Sequence, residues 1–303
     1  MIVVVGSLNM DLVVSVPRFP APGETLIGGD YAQHPGGKGA NQAVAAARAG
    51  GQVTMVGRLG SDGFAKLLRQ QLEHDYIDTS NIVNLPDAPT GVAFISVDEN
   101  AQNIIIVSSG ANARLMPEDV TEDMFTDAKA LILQLEVPLE TVFGAAALAR
   151  AAGAKVILNV APAQKLSPEQ LALIDVLIVN ENEAALLTDL STEYVSKHPE
   201  QAAKQLADAV PTVILTLGAA GALWCESGQT GLVPGFVVDA VDTTAAGDAF
   251  AGAFAVAYGD GQKVASAVRF ANAAGALTAA KTGAQPSLPS RKAIDALLEE
   301  HNP

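Results

Sequence analysis

The stretch KVILNVAPAQKLSPEQLALIDVLIVN, residues 155–180, decides the fold class of this 303-residue chain. Two apolar runs of strand length, KVILN (155–159) and VLIVN (176–180), flank a segment with apolar residues at helical spacing. A strand, a helix and a second strand in this order are typical of a βαβ unit with parallel strands. The same alternation continues in both directions along the chain. We therefore predict an α/β fold, a three-layer α/β/α sandwich around a mostly parallel central sheet.

Two segments break this alternation. Residues 11–34 read as alternating strand and turn, with DLVVSV (11–16) and ETLIGGDY (24–31) on either side of a turn, and residues 91–108 read as a hairpin turning at residues 98–101. We interpret both as parts of one small β-sheet lid, inserted discontinuously into a single domain of residues 1–303. Such a sheet covers a cleft, pairs with another subunit, or does both. The predicted strands are 2–6, 53–57, 130–136, 155–159, 176–180 and 212–218, and the predicted helices are 40–49, 63–73, 139–152, 168–174 and 200–210.

The composition restricts the possible partners. With 33 acidic and 18 basic residues the formal charge is −15, which disfavours a nucleic-acid partner. A phosphate ligand would need backbone amides, helix N-termini or bound cations. The single cysteine, Cys225, excludes a disulfide within the chain and favours a reducing cytoplasm. No basic leader and no apolar run of about 20 residues is present, so we expect no membrane association.

Polar residues follow several predicted strands. Glu136, Asn159, Asn180 and Thr216 stand where strands end, and ligands of open α/β sheets bind at those ends. Each single Asn or Thr is better explained as the start of a loop or as a helix cap. Glu136 is harder to explain in that way, because a buried carboxylate needs a partner.

The first strand and the loop before residue 40 carry a second group of candidates. Asn9 and Asp11 are two residues apart, so in an extended chain they share a face that suits a polyol, although a turn is an equally good explanation. The segment PGGKGAN (35–41) combines glycines with a helix start, which suits a small ligand. It is not a phosphate loop of the Walker A type, because Ala32 occupies the position of that motif's first glycine.

The most informative stretch is VDTTAAGDAF, residues 241–250. A turn of small residues before a helix leaves backbone N–H groups directed at one point, as an anion site requires. Asp248 lies beside that turn and is placed to accept the proton of an attacking hydroxyl. The competing explanation is that Asp248 only caps the helix.

Ten segments along nearly the full chain resemble the ribokinase-like family of sugar kinases. The resemblance implies ATP-dependent phosphorylation of D-ribose at its 5-hydroxyl, giving D-ribose 5-phosphate and ADP. It also implies Mg²⁺, a monovalent cation such as K⁺, and a homodimer formed through the lid sheets. One departure is Ala249, where many members of the family carry Thr. The segments are GSLNMD (6–11), PGGKGANQA (35–43), TGVA (90–93), SGAN (109–112), QLEVPLE (134–140), NVAPA (159–163), NENEA (180–184), TLGAAG (216–221), DTTAAGDAF (242–250) and GAQPS (283–287).

The resemblance also implies roles for individual positions. Asp248 is expected to be the catalytic base, beside an anion hole of Ala245, Ala246 and Gly247. Ribose contacts are implied for Asn9, Asp11, Gly37, Lys38, Gly39, Ala40, Asn41, Glu136 and Asp248. Nucleotide contacts are implied for Asn180, Thr216, Leu217, Gly218, Ala219, Ala220, Gly221, Gly247, Asp248 and Asn272. Cation contacts are implied for Asp242, Thr244, Thr278, Lys281, Gly283 and Ser287.

Three alternatives remain at this stage. The same chemistry could act on deoxyribose, another sugar or a nucleoside, since a single hydroxyl contact separates ribose from deoxyribose. A non-catalytic sugar- or nucleotide-binding regulator would have lost the base, the glycine turn or Lys38, all of which are present. A nicotinamide oxidoreductase has a similar sheet, but the dinucleotide fingerprint does not follow the first strand.

Overall fold

The computed structural model describes residues 1–100 and 102–301, so Ala101 of the predicted hairpin and the last two residues of the predicted domain lie outside the described residues. Within these ranges, nine strands form a central sheet in the order β13-β12-β11-β10-β9-β8-β1-β4-β5, and only the β11-β12-β13 pairings are antiparallel. Its strands are β1 (Ile2–Val5), β4 (Val53–Leu59), β5 (Ile82–Asn84), β8 (Ala130–Leu133), β9 (Lys155–Asn159), β10 (Val176–Asn180), β11 (Thr212–Thr216), β12 (Ala222–Glu226) and β13 (Gln229–Val233).

Helices cover both faces of the sheet, which confirms the three-layer sandwich. The alternation of side chains along β1 shows this: Ile2 and Val4 join one apolar cluster, while Val3 and Val5 join the other. The first layer contains α1, α2, α8, α9 and α10, and the second contains α3, α5, α6 and α7. The helices are α1 (Lys38–Arg48), α2 (Gly63–His74), α3 (Leu139–Ala151), α4 (Pro168–Leu171), α5 (Glu181–Thr188), α6 (Thr192–Lys197), α7 (Pro199–Ala207), α8 (Ala246–Gly259), α9 (Val264–Ala279) and α10 (Arg291–Glu300).

A second, four-stranded sheet, called the small sheet below, has the order β3-β2-β6-β7. It consists of β2 (Asn9–Ser15), β3 (Tyr31–Gly36), β6 (Gly91–Val97) and β7 (Asn103–Ser108). The hairpin of β6 and β7 matches the prediction, but the strand expected over residues 24–31 was wrong. Only Tyr31 of that segment is in a strand, and Ile27 is 90% exposed. The Gly29 amide donates to the Ser15 carbonyl at 2.9 Å, but residues 24–30 form no continuing ladder, and all of them except Leu26 are exposed, so the alternating pattern does not form a strand.

Some element boundaries also differ from the predictions. The strand predicted over residues 130–136 ends at Leu133, so Glu136 lies in the following turn and not directly after the strand. The helix predicted over 168–174 ends at Leu171, after a single turn. Helices α5 and α6 and the hairpin of β12 and β13 were not predicted, because their short apolar patterns gain stability from tertiary packing.

Close backbone contacts fix the start of α1 against the loop after β1. Gly37 has a φ of +87°, and a Cβ there would lie 2.6 Å from the amide nitrogen of Asn9. A Cβ on Gly39 would lie 2.6 Å from the carbonyl carbon of Gly6. Farther along α1, a Cβ on Gly252 of α8 would lie 2.6 Å from the carbonyl oxygen of Gln42. Glycine at these positions lets α1 approach both β1 and α8. Over the described residues, no helix is both long and apolar enough to span a membrane.

Candidate active site

Two hollows lie at the carboxyl ends of the parallel strands, where open α/β sheets bind ligands. The first, called the polar hollow, has a volume of about 480 Å³ and is bounded by residues that include Asn9, Asn112 and Glu136. The second, called the small-residue hollow, has a volume of about 380 Å³ and lies against the N-terminus of α8 at Gly247. Asp248 follows Gly247 directly, and its carboxylate interacts with Glu136 of the polar hollow. The first turn of α8 therefore lies against the small-residue hollow, with Asp248 within electrostatic range of Glu136 in the polar hollow.

Lys38 is the cationic group beside the polar hollow, where its amide contacts Glu136. Burial lowers the pKa of its ammonium group, but four surrounding carboxylates outweigh burial and raise that pKa above its usual value of 10.5. These carboxylates belong to Asp248, Glu136, Glu183 and Asp11, in order of influence. The protein thus brings together four of the predicted site residues, Lys38, Asp11, Glu136 and Asp248, although they are far apart in the sequence.

Asp11, on β2, is held in an unfavourable environment for a charge. Burial, and then repulsion from Glu136 and Asp248, raises the pKa of its carboxyl from 3.8 to about 7, although Lys38 opposes this shift. Its carboxylate also occupies the space above Gly36, where a Cβ would lie 2.2 Å from Oδ2. A sugar hydroxyl that donates to this carboxylate would relieve part of that cost.

Glu136 has the partners that its burial requires. Its Oε2 accepts hydrogen bonds from the Ser7 hydroxyl at 2.6 Å and from the Lys38 amide at 3.1 Å. The Gly39 amide in turn donates to the Ser7 hydroxyl at 3.3 Å. The turn after β8 is therefore tied to the first turn of α1, and Oε1 remains available to a ligand.

Asn9 lies at the start of β2 with its side chain oriented by Asn112. Asn112 exchanges hydrogen bonds with Leu8 through both ends of its amide, at 2.9 and 3.0 Å, which fixes the orientation of that amide. The Asn112 Nδ2 group also donates to Oδ1 of Asn9 at 2.7 Å. The free end of Asn9 is consequently its NH₂ group, a donor for a sugar oxygen.

Asp248 is 7% exposed and is held from both sides by α1. Its Oδ2 accepts from Asn41 Nδ2 at 3.0 Å, and its Oδ1 accepts from Gln42 Nε2 at 2.9 Å. Burial raises the pKa of the Asp248 carboxyl, while Lys38 and the Asn41 and Gln42 amides oppose that shift. The side chain is an oriented carboxylate with lone pairs left for a hydroxyl, which is the arrangement that a general base requires.

The turn before α8 exposes backbone donors, as its sequence predicts. Ala245 is in the left-handed region with a φ of +61°, and α8 begins at the next residue. The Ala246 amide is already used, since it donates to the Thr243 carbonyl at 3.2 Å. Gly247 and Asp248 lie in the first turn, whose amides have no intrahelical acceptor. These two amides are therefore better placed to bind an anion than the full set of residues 245–247.

The small-residue hollow has a mostly apolar lining. Of the predicted nucleotide positions, the structure places Thr216, Gly218, Ala219, Gly221, Gly247 and Asn272 in this lining, together with Ala246. The other predicted nucleotide positions do not line the hollow; they are Asn180, Leu217, Ala220 and Asp248. The sequence reading also missed the segment 235–240 and one face of α9. Helical spacing would have identified that face, because Asn272, Gly275, Ala276 and Ala279 lie at i, i+3, i+4 and i+7.

Asn180 and Glu183 form a capping box at the start of α5. The Asn180 side chain accepts from the Glu183 amide at 2.9 Å, and Glu183 Oε2 accepts from the Asn180 amide at 2.8 Å. Burial raises the pKa of the Glu183 carboxyl to about 7, and the Lys38 and Asp248 charges also influence it. Glu183 was not among the predicted site residues. The signal that would have found it is an acidic residue three positions after a capping Asn.

The predicted cation positions lie on the loop before α8, at the end of α9 and on the segment that follows α9. The Asp242 carboxylate accepts from the Thr244 amide at 2.9 Å and from the Gly283 amide at 2.8 Å. The hydroxyls of Thr278 and Ser287 donate to carbonyls of their own segments. Across the described part of the chain, no group of three His, Cys, Asp or Glu side chains is arranged to hold a metal. A monovalent cation would therefore meet mainly backbone carbonyls at this position.

Comparison with known proteins identifies the family. Residues 1–291 match the pfkB family of carbohydrate kinases. A ribokinase from Haemophilus influenzae is 42% identical over 298 residues, covering 98% of this chain and 97% of the relative. A deoxyribokinase from Salmonella typhimurium is 39% identical over 294 residues, covering 95% of each chain. A structure of Arabidopsis thaliana ribokinase with ribose and ATP has a TM-score of 0.91 and 34% identity, with 98% of each chain covered. The chain therefore belongs to the pfkB family of carbohydrate kinases.

Proposed function

We propose that this enzyme transfers the γ-phosphoryl group of ATP to the 5-hydroxyl of D-ribose. The observation that carries the proposal is the position of Asp248: its carboxylate interacts with Glu136, which lines the polar hollow, and the preceding residues Ala246 and Gly247 line the small-residue hollow. A base between a sugar site and an anion site is the arrangement that phosphoryl transfer requires.

The polar hollow supplies the sugar contacts in this proposal. Asp11 accepts from neighbouring hydroxyls, the NH₂ group of Asn9 donates, and Lys38, Asn41 and Glu136 contribute further polar groups. Asn41 Oδ1 is buried without a hydrogen-bond partner in the described residues, so a sugar hydroxyl would complete its bonding. The backbone of Gly37, Gly39 and Ala40 forms the floor, because a side chain at either glycine would collide with β1 or β2.

The reaction begins with proton transfer from the 5-hydroxyl to the Asp248 carboxylate. The hydroxyl oxygen then forms a bond to the γ-phosphorus, while the bond from that phosphorus to the leaving oxygen of ADP breaks. The amides of Gly247 and Asp248, at the N-terminus of α8, stabilise the charge on the transferred group. Burial of Asp248 excludes water that would otherwise compete with the sugar hydroxyl.

The small-residue hollow suits an adenine nucleotide. Its wall of Phe236, Val237, Gly275, Ala276 and Ala279 offers apolar surface without long side chains. The turn from Thr216 to Gly221 and the helix start at Gly247 are on the side where phosphates would meet backbone amides. The NH₂ group of Asn272 donates to the Val233 and Pro234 carbonyls. Asn272 therefore helps to shape the wall of the hollow, and its Oδ1 is the atom left to contact the nucleotide.

Two cations complete the proposed site. Mg²⁺ would neutralise phosphate charge on the nucleotide. Glu183, in the first turn of α5 and hydrogen-bonded to Asn180, is an oxygen-bearing side chain whose charge interacts with Lys38 and Asp248. K⁺ would be held by oxygen atoms, which suit a hard monovalent ion. The hydrogen bond from the Gly283 amide to Asp242 joins the loop before α8 to the loop after α9. The proposed oxygens are the Asp242 carboxylate and the carbonyls around Thr244, Thr278, Lys281, Gly283 and Ser287.

We also propose that the small sheet is both a lid and a dimer interface. Its strand β7 is exposed along its whole length, and Ile104, Ile105, Ile106 and Val107 are each between 46 and 65% exposed. Phe94 of β6 adds a further exposed apolar side chain. Apolar surface of this kind on a sheet favours pairing with a second copy. Light scattering is expected to give a dimer mass, and a monomer at working concentration would contradict this part.

A cytoplasmic location remains a prediction, supported by the buried free thiol of Cys225.

Deoxyribose is the second candidate substrate, because the Salmonella deoxyribokinase is similar to this chain over the same extent. The two sugars differ by one hydroxyl, and a site built to bind that hydroxyl rejects the analogue that lacks it. The test is phosphorylation by ATP across ribose, deoxyribose, fructose, adenosine and uridine, each with and without K⁺. Preferred, K⁺-dependent turnover of ribose is the expected result. Preference for deoxyribose would select the second candidate, and inactivity on every sugar and nucleoside would contradict a kinase.

A further inference from the structure

The side chain of Gln42 is buried completely behind the Asp248 carboxylate. Its Nε2 group donates to Asp248 Oδ1 at 2.9 Å and to Asn159 Oδ1 at 3.1 Å. Its Oε1 accepts from Gln134 Nε2 at 2.7 Å. All the polar groups of the Gln42 amide are therefore used, and one of its bonds ends on the proposed base.

The neighbours of Gln42 fix which way its amide points. An ionised Asp248 carboxylate only accepts hydrogen bonds, so the NH₂ group of Gln42 must face it. Asn159 donates through Nδ2 to the Ile178 carbonyl, which leaves its oxygen for Gln42. Gln134 is itself confined, because its Oε1 fills the space beside Gly6 that a Cβ would need: a Cβ on Gly6 would lie 2.0 Å from that oxygen. The chain of contacts from Gly6 through Gln134 to Gln42 leaves little freedom for a different rotamer.

We propose that Gln42 is a positioning residue for the transfer, which holds the Asp248 carboxylate ionised and directed at the acceptor hydroxyl. This inference rests on the proposed role of Asp248 as the base. Gln42 is separate from the sugar contacts, because its side chain lies behind the carboxylate and its hydrogen bonds are all to protein groups. Asn41 differs, since it holds the other oxygen of the carboxylate and keeps an unpaired Oδ1.

The need for such a residue follows from the charges around Asp248. Burial disfavours its ionised form, and Glu136 adds repulsion. Asp11 on β2 and Glu183 on α5 bring further acidic groups, and Lys38 supplies the cation. An amide donor at this position stabilises the ionised form of the base more than the protonated form, because a hydrogen bond to a charged carboxylate is the stronger one. Without that donor the base would be protonated over a wider pH range.

The test compares Gln42→Leu with the parent enzyme through the pH dependence of kcat and through the titration of Asp248. We expect kcat at neutral pH to fall about 10- to 100-fold while the KM for the sugar changes less than about threefold. The acid limb of the kcat profile should move upward by about one to two pH units, as loss of a hydrogen bond to a charged group implies. The exposed Gln205→Leu on α7 is the matched control and should leave the profile unchanged.

A second readout does not depend on turnover. The ¹³C resonance of the Asp248 carboxyl, assigned by its loss in Asp248→Asn, should titrate at higher pH in Gln42→Leu than in the parent. If Gln42→Leu does not fold, Gln42→Met and Gln134→Leu take its place, with a smaller shift expected for Gln134→Leu because the direct bond remains. Equal titration of Asp248 in the parent and the variants would overturn the inference. A parent enzyme that phosphorylates no ribose, but whose Asp248 titration responds to Gln42, would instead overturn the proposed substrate alone.

Discussion

Asp11 illustrates the cost of building a sugar site from clustered carboxylates. Its pKa of about 7, against the ordinary 3.8, means that the ionised form is disfavoured in the folded protein relative to the unfolded chain. At about 1.4 kcal/mol per pH unit, the full shift corresponds to about 4 kcal/mol of lost stability above pH 7. Relaxation and water entry reduce this figure, so we expect Asp11→Asn to stabilise the sugar-free enzyme by about 2 kcal/mol at about pH 8.

The direction of the pH dependence follows from the raised pKa. Below the pKa of the unfolded chain, Asp11 is protonated in both states and lowers the stability of neither. As the pH rises from 3.8 to about 7, the unfolded chain gives up this proton more readily than the folded protein, so the free energy of unfolding falls across this range and then levels off. The difference in the free energy of unfolding between Asp11→Asn and the parent should therefore grow by about 1 to 2 kcal/mol between about pH 5.5 and 8. In thermal unfolding this growth corresponds to roughly 2–6 °C.

The assay is urea or thermal unfolding of the parent and of Asp11→Asn at both pH values. Asp208→Asn, an exposed carboxylate-to-amide change after α7, is the control and should show no such growth. The same Asp11→Asn protein should bind ribose at least about 30-fold more weakly, because it loses a charged acceptor. A stability difference that does not change with pH, or a parent that is the more stable protein at about pH 8, would refute the reasoning.

Two further changes test other parts of the structure. Gly39→Ala should lower the free energy of unfolding by about 2 to 4 kcal/mol in urea denaturation, because its Cβ would lie 2.6 Å from the carbonyl carbon of Gly6. Gly63→Ala, whose Cβ meets open space, should stay within about 0.5 kcal/mol, and equal effects of the two changes would contradict the packing argument. Arg48→Lys should raise the K⁺ concentration for half-activation about tenfold with little change in the ribose KM, since Arg48 donates to the Gln285 carbonyl at 2.6 Å and supports the cation loop. An unchanged K⁺ titration would show that this support is not needed.

The sequence predicted the central sheet well because its strands are buried on both faces. Runs such as VLIVN (176–180) contain four consecutive buried residues and remain apolar without alternation, which distinguishes them from surface strands. The segment 24–31 has only two consecutive apolar residues, Leu26 and Ile27, and its Gly29 amide donates to the Ser15 carbonyl without a continuing ladder. Local pattern alone does not reveal whether a partner strand exists, so the prediction was wrong there.

The candidate site was partly predictable for a related reason. Asp248, Lys38 and Asn41 lie in glycine-rich or small-residue segments whose composition itself indicates ligand binding. Gln42 and Glu183 also lie in segments that resemble the family, 35–43 and 180–184, but the sequence did not single them out, because their importance comes from side chains that fold against them from distant parts of the chain. The apolar wall at residues 235–240 was missed because an apolar loop resembles a strand or a core segment until the fold places it beside a cavity.

The central claim is that Asp248 is the base for phosphoryl transfer to ribose, and Asp248→Asn tests it most directly. The substitution keeps the size of the side chain and removes its ability to take a proton. Single-turnover measurement with ATP and ribose should show the rate of phosphorylation falling by about 10³-fold or more, while ribose affinity changes by less than about fivefold. A variant that phosphorylates ribose at nearly the parent rate would contradict the account.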